Sequence, residues 1–237
     1  MVASPLTVTP NIVVFGQTGA GKSSLINLLA RDNVAPTSSK PSGCTESNES
    51  FNISSSANKT YTFWDTPGLN EGEQGTVPAS QAVDILRNLV DQIRSVNLII
   101  YCIRGRLTDI VRVNYDLFCG IVCEGKVPIL LVVTGLEQES KMDDWWSRNY
   151  RAVRMMGMKK LVGHACVVTT RGMNNVYEKE YSESADKVWK LVQEHCSTTP
   201  WTMKTEEEEV RKRIAKYMNA YNKRTTKIIR ALLRLFR

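Results

Sequence analysis

Gly16-Gln17-Thr18-Gly19-Ala20-Gly21-Lys22-Ser23 is the stretch from which the fold of this chain can be worked out. The octet fits G-x-x-x-x-G-K-[ST] at every fixed position. A short apolar run, Ile12 to Phe15, precedes it. Ser24-Leu25-Ile26-Asn27-Leu28-Leu29 follows, with apolar residues at helical spacing. Strand, glycine-rich loop and helix in that order make a cradle for phosphate. Glycines let successive backbone N–H groups turn inward around anionic oxygens. The helix that follows directs its positive end at the same anion. Lys22 can reach the outer phosphates as a point charge, and the Ser23 hydroxyl can ligate Mg2+. A nucleoside triphosphate is the expected ligand of residues 16–24.

Composition sets looser bounds. At 237 residues the chain suits one large domain, or one domain with an extension. Its longest apolar runs, Leu98 to Ile103 and Val127 to Val133, fall far short of a membrane span. Met-Val-Ala-Ser-Pro at the start has neither the basic nor the apolar segment of a signal peptide. Val2 stands where myristoylation needs glycine. Six cysteines, Cys44, Cys102, Cys119, Cys123, Cys166 and Cys196, show no disulfide or zinc spacing. A cytoplasmic protein with reduced thiols is expected, and the sequons at Asn48, Asn52 and Asn58 are read as accidents of a Ser/Asn-rich surface.

The net charge of +7 is concentrated at one end. Residues 210–237 hold ten Lys or Arg and no acid, which leaves 21 basic against 24 acidic side chains, a net of −3, in residues 1–209. That distribution gives no support to a nucleic-acid groove on the main domain, so no nucleic-acid partner is expected.

In chain order, residues 32–50 are rich in Ser, Thr, Pro and Asn and lack an apolar period, as functional loops do. Two strands are expected at Ser50–Ser54 and Tyr61–Trp64, joined by the turn Ala57-Asn58-Lys59. The second runs into Asp65-Thr66-Pro67-Gly68. A carboxylate at that strand end suits a second contact to a phosphate-bound Mg2+, usually through water. Gly68 lets its N–H approach the terminal phosphate. Helices are expected near Ser80–Ser95, Thr108–Cys123, Trp145–Met156 and Ser184–Cys196, and strands at Leu98–Ile103, Val127–Val133 and Ala165–Thr169. Val127–Val133 has no polar side chain, as in a parallel strand covered on both faces. This alternation calls for a three-layer, doubly wound α/β fold with a mainly parallel, six-stranded sheet. Ligands of such sheets lie at the strand C-termini, where Gly16, Asp65, Thr134 and Thr169 fall. The domain is expected over residues 1–200, with a helical extension over 201–237.

With these residues in place, the chain resembles P-loop GTPases of the translation-factor-related class, nearest the immunity-associated (AIG-type, GIMAP), septin and chloroplast-import branch. Gly16 to Ser23, Thr45, Asp65 to Gly68 and Arg104-Gly105-Arg106-Leu107-Thr108 carry the likeness. The last of these resembles the G-R-F-T box that AIG-type proteins carry after the fourth strand. The resemblance implies a G domain that binds GTP or GDP with Mg2+. It implies catalytic roles for Lys22 and Thr45, and Ser23, Thr45 and Asp65 around the metal. Loops 32–50 and 66–80 would be the two switches, ordered by the terminal phosphate and released on hydrolysis. Thr37 is a weaker rival to Thr45.

Two departures qualify that likeness. The base motif, normally N/T-K-x-D, reads Thr134-Gly135-Leu136-Glu137, so the lysine is lost and the carboxylate kept. A carboxylate can accept from both guanine's ring N–H and its exocyclic amine, whereas adenine offers neither pairing, so GTP is expected over ATP. Thr170 and Arg171 would then form a second loop against the base. At Leu69 many members carry the glutamine that orients water, so a slow intrinsic rate is expected, with help from a paired G domain or a partner. Glu71 and Gln74 are possible substitutes.

The C-terminal stretch has a stripe of Ile214, Tyr217, Met218, Tyr221, Ile228, Leu232, Leu235 and Phe236, with bases on the other face. Three readings fit it: a helix docked on the domain, a partner-binding helix, or an interfacial helix on an anionic membrane. A proximal half that docks and a distal half left for membrane or partner combine them. Function divides likewise between a slow GTPase switch and a nucleotide-stabilised scaffold with little turnover. An ATP-dependent kinase on the same loop would leave D-T-P-G and Glu137 without a role.

Overall fold

A computed structural model of the chain describes residues 9–37, 48–68, 92–93, 95–202, 208–210, 212–217 and 219–221. Six strands make one sheet: β1 (Asn11–Gly16), β2 (Glu49–Ser54), β3 (Thr60–Asp65), β4 (Leu98–Arg104), β5 (Ile129–Thr134) and β6 (Leu161–Cys166), in the order β2-β3-β1-β4-β5-β6. Among the described strands only β2 runs antiparallel, paired with β3 across the turn whose Asn58 sits at φ 56°. The sheet is therefore the mainly parallel, three-layer α/β arrangement that the alternation calls for. After β3 the chain crosses β1 to reach β4, so β1 lies at the point where the winding reverses. The crevice beyond its C-terminal end is the place such sheets hold ligands.

Strand alternation divides the core in two. Val13, Phe15, Ile99, Tyr101, Ile103, Leu131 and Val133 face one side, beside α2 (Asp109–Tyr115), a π-helical segment (Asp116–Val122) and α3 (Asp144–Met155). Phe15 stacks on Phe118 with ring centres 4.5 Å apart. Ile12, Val14, Ile100, Cys102, Leu130 and Val132 face the other side, under α1 (Lys22–Ala30) and α4 (Glu178–His195). There the Trp189 indole donates to the Leu29 carbonyl at 3.1 Å, tying α4 to the end of α1.

Three boundaries depart from the periodicity, each for a local reason. The last strand ends at Cys166 rather than Thr169 and begins at Leu161; as an edge strand containing Gly163 and His164 and only half covered, it lacks a continuous apolar run. The helix read as Ser184–Cys196 starts at Glu178, because Glu178 and Glu180 in its first turn suit the positive helix end without adding apolar signal. The helix read as Thr108–Cys123 changes at Asp116 from α to π winding, which holds Leu117, Phe118 and Cys119 against the sheet. The helix read as Ser80–Ser95 falls mainly outside the described residues.

Beyond α4 the chain returns to the sheet. Val96 and Trp201 exchange two backbone hydrogen bonds of 2.8 Å. The described positions from 208 to 221 are helical. Val210 and Ile214 are buried in the α2-side core, and the Tyr217 hydroxyl donates to Asp116 Oδ2 at 2.7 Å. None of the described helices is long and apolar enough to cross a membrane. Residues 222–237, which carry the distal half of the basic stripe, lie outside the described residues.

Candidate functional site

β1 delivers the glycine-rich loop into the crevice. Gly21 ends the loop at φ 84° as the N-cap of α1, a left-handed conformation that L side chains seldom adopt. No side chain caps α1 and no acid lies in its first turn, where one commonly complements the helix dipole. The positive end is thus left to serve an anion. Lys22, buried at 7% exposure, donates its ammonium to the carbonyls of Gly16 at 3.3 Å and Gln17 at 3.0 Å. It is held across the loop that it closes.

β3 brings the carboxylate. Ser23 Oγ donates to Asp65 Oδ2 at 2.5 Å, so residues 42 positions apart meet at the mouth of the crevice. Thr66 fixes the start of the next loop by donating to the Val14 carbonyl at 3.1 Å. A hydroxyl and a carboxylate side by side, next to a phosphate cradle, form a hard-oxygen donor set that fits Mg2+. Beneath them, burial pushes the Cys102 thiol up to about 12; Lys22 pulls it down and Asp65 pushes it up, which puts all three in one electrostatic neighbourhood.

Gly68 closes one side of the loop. A Cβ there would lie 2.5 Å from Thr18 N and 2.6 Å from Thr18 Cα, so only glycine permits the approach. Thr134, at the end of β5, is 2% exposed and donates its hydroxyl to the Ala20 carbonyl at 2.8 Å. Its side chain is committed to bracing the loop, a role that a contact spanning 114 positions hides from the sequence. The G-R-F-T-like segment serves local structure. Thr108 caps α2, accepting from Val111 N at 3.4 Å, and the Gly105 carbonyl accepts from the Trp145 indole at 2.9 Å.

Gly16 to Ser24, Asp65, Gly68 and Thr134 therefore converge. Glu137 is half-buried beyond Leu136. Thr170 Oγ1 accepts from Gly172 N at 3.1 Å within its own turn. Arg171 turns onto α4, 2.9 Å from Glu178 Oε2 and with its guanidinium 4.7 Å from the centre of the Tyr181 ring. Thr45, Leu69, Glu71 and Gln74 lie outside the described residues.

Residues 11–135 match the family model described as 50S ribosome-binding GTPase. No curated protein matches the chain. Among solved structures, Era in complex with MgGDPNP and nucleotides 1506–1542 of 16S ribosomal RNA aligns at 15% identity with a TM-score of 0.56, over 82% of this chain and 59% of that one. A structure of the chloroplast translocon components atToc33 and psToc159, for which dimerization is important for GTPase activity, aligns at 15% identity with a TM-score of 0.61, over 83% and 86%. Toc33 from Arabidopsis thaliana with Mg2+ and GMPPNP aligns at 16% identity with a TM-score of 0.54, over 80% and 86%. At such identities the likeness is one of fold, and the chain spans about three fifths of the Era structure's length.

The Era complex corrects one expectation. The net charge of −3 over residues 1–209 argues against a nucleic-acid partner. Era, which shares this fold over 59% of its structure's length, is nonetheless seen in complex with 16S ribosomal RNA. Net charge over a whole domain does not rule out RNA, which proteins also recognise by shape and by stacking unpaired bases. The exclusion of nucleic acid does not hold.

Proposed function

This chain belongs to the 50S ribosome-binding GTPase family, and from that premise we propose that it is a guanine-nucleotide switch that hydrolyses GTP to GDP and phosphate slowly, and faster when two G domains pair. The observation that carries the proposal is the meeting of Ser23 and Asp65 beside the Gly16–Ser23 loop at the reversal point of the sheet. Loop N–H groups and the α1 end would bind the β- and γ-phosphates, with Lys22 neutralising their outer oxygens. Ser23 and Asp65, joined by Thr45, would hold Mg2+, which when bound adds positive charge where the transferred phosphoryl group develops negative charge. Glu137 would select guanine through its two N–H groups. Water attacks the γ-phosphorus and the bond to the bridging oxygen breaks. Leu69 cannot orient that water, which is the reason to expect a slow rate.

Pairing is supported by the chloroplast translocon components, where dimerization matters for GTPase activity. That likeness and the Arg104–Thr108 segment support the reading of an immunity-associated, septin and chloroplast-import branch within the wider class. The test is phosphate release from GTP followed over hours at several protein concentrations. A rate per molecule that rises with concentration supports the switch with pairing. A flat, measurable rate refutes pairing, and tight GTP binding with no release refutes the switch in favour of a scaffold.

A further inference from the structure

We propose that Arg104 takes the place of the lysine missing from the base motif and forms the wall against which the guanine lies. Gly135 occupies the lysine's position at φ 72°, where a side chain would be strained. The space is filled from the neighbouring strand. A Cβ on Gly135 would come 2.8 Å from Arg104 Cγ, 3.1 Å from its Nε and 3.5 Å from its Cδ. The alkyl stem and the root of the guanidinium of Arg104 therefore cover residue 135.

Strand geometry explains this placement. Arg104 pairs with Thr134 in the parallel β4–β5 register. Leu98, Ile100 and Cys102 pack on the α1 side of the sheet, and alternation puts Arg104 next in that series. Cys102, one step lower, responds to Lys22 and Asp65, so this face lies under the phosphate loop. The final β5 residue on the same face, Thr134, touches Ala20 in that loop. Arg104 thus stands at the rim between the phosphate cradle and the segment ending in Glu137.

Arg104 is exposed and makes no ion pair among the described residues, whereas Arg171, the expected base-side cation, is bound to Glu178 and to the Tyr181 ring. A planar guanidinium on an alkyl stem suits the face of a purine, by stacking and by cation–π attraction. Lysine supplies the stem and the charge without the planar face.

This inference rests on the guanine reading of the same site, and the test separates the two. The probes are fluorescent GDP, with its displacement by unlabelled GDP, and inorganic tripolyphosphate, which engages the phosphate cradle alone. The unmutated chain is measured first; failure to bind GDP there overturns the guanine reading and this inference together. Given binding, Arg104→Ala should weaken GDP about tenfold and leave tripolyphosphate unchanged. Arg104→Lys should recover part of the loss. GDP affinity unchanged in Arg104→Ala, or an equal loss for GDP and tripolyphosphate, overturns the assignment. Equal melting temperatures of the nucleotide-free variants exclude misfolding, as expected for an exposed side chain that makes no ion pair among the described residues.

Discussion

Thr134→Val tests whether the end of β5 braces the phosphate loop. Valine keeps both γ positions, so shape is conserved where a Cβ on Gly21 would already lie 3.2 Å from Thr134 Oγ1 and 3.3 Å from Cγ2. What is lost is the donor to the Ala20 carbonyl at 2.8 Å, with a longer contact of 3.4 Å to the Ile103 carbonyl. Ala20 and Thr134 are each 2% exposed, so water cannot replace the bond without opening the loop. Leaving a buried carbonyl unpaired costs about 1–3 kcal/mol. In a chain of this size each kcal/mol lowers Tm by roughly 2–4 °C. Thermal melts of the nucleotide-free protein should therefore show a fall in Tm of about 2–12 °C, and urea unfolding a lower midpoint at unchanged m. Nucleotide affinity should fall as well, because the Ala20 peptide belongs to the loop that binds phosphate. Thr134→Ser keeps the hydroxyl and should hold affinity despite its lost methyl. Thr134→Val with Tm and affinity both equal to the parent would show that the hydrogen bond does not brace the loop.

Three further outcomes are expected. Lys22→Ala should abolish the rise in Tm caused by GDP with Mg2+, a rise of about 2.7 kcal/mol in stability at a hundredfold excess over Kd; a folded variant with the same rise contradicts the phosphate role. Burial of His164, stacked on Trp146 at 3.7 Å, lowers its pKa, with Lys187 adding to the shift and Asp143 opposing it. The folded state therefore favours neutral imidazole, so stability present above pH 6.5 should be lost as pH falls below it; Tm compared between about pH 7.5 and 5.5 should drop more in the parent than in His164→Gln, and equal drops refute it. Cys102, buried with its thiol pushed up to about 12, should resist iodoacetamide at about pH 8 until the chain unfolds; native labelling as fast as unfolded labelling contradicts its burial.

The parts of the fold that are legible in the sequence are those whose signal is local. β4 and β5 are buried on both faces, so Leu98–Ile103 and Val127–Val133 carry unbroken apolar runs whose strands stop within a residue or two of the observed ends. β6 is an edge strand with a mixed burial pattern, and periodicity misplaces its boundaries accordingly. The phosphate loop is legible because its glycines and Lys22 answer to chemistry within eight residues. The pairing of Ser23 with Asp65 follows from a known mode of metal binding. The bond from Thr134 to Ala20 and the seat of Arg104 on Gly135 depend on strand order and register, which periodicity does not encode. The mistaken exclusion of nucleic acid has the same origin: a sum of charges carries no information on where on the surface they lie.

Competition for the site between GTP and ATP is the most direct measurement of the central claim. Purified full-length chain is loaded with fluorescent GTP and Mg2+, then titrated with unlabelled GTP, GDP and ATP. Displacement by GTP and GDP at concentrations where ATP has no effect is the predicted result. Equal displacement by ATP, or no binding of the guanine nucleotide, would contradict a guanine-nucleotide switch built on Gly16–Ser23, Asp65 and Glu137.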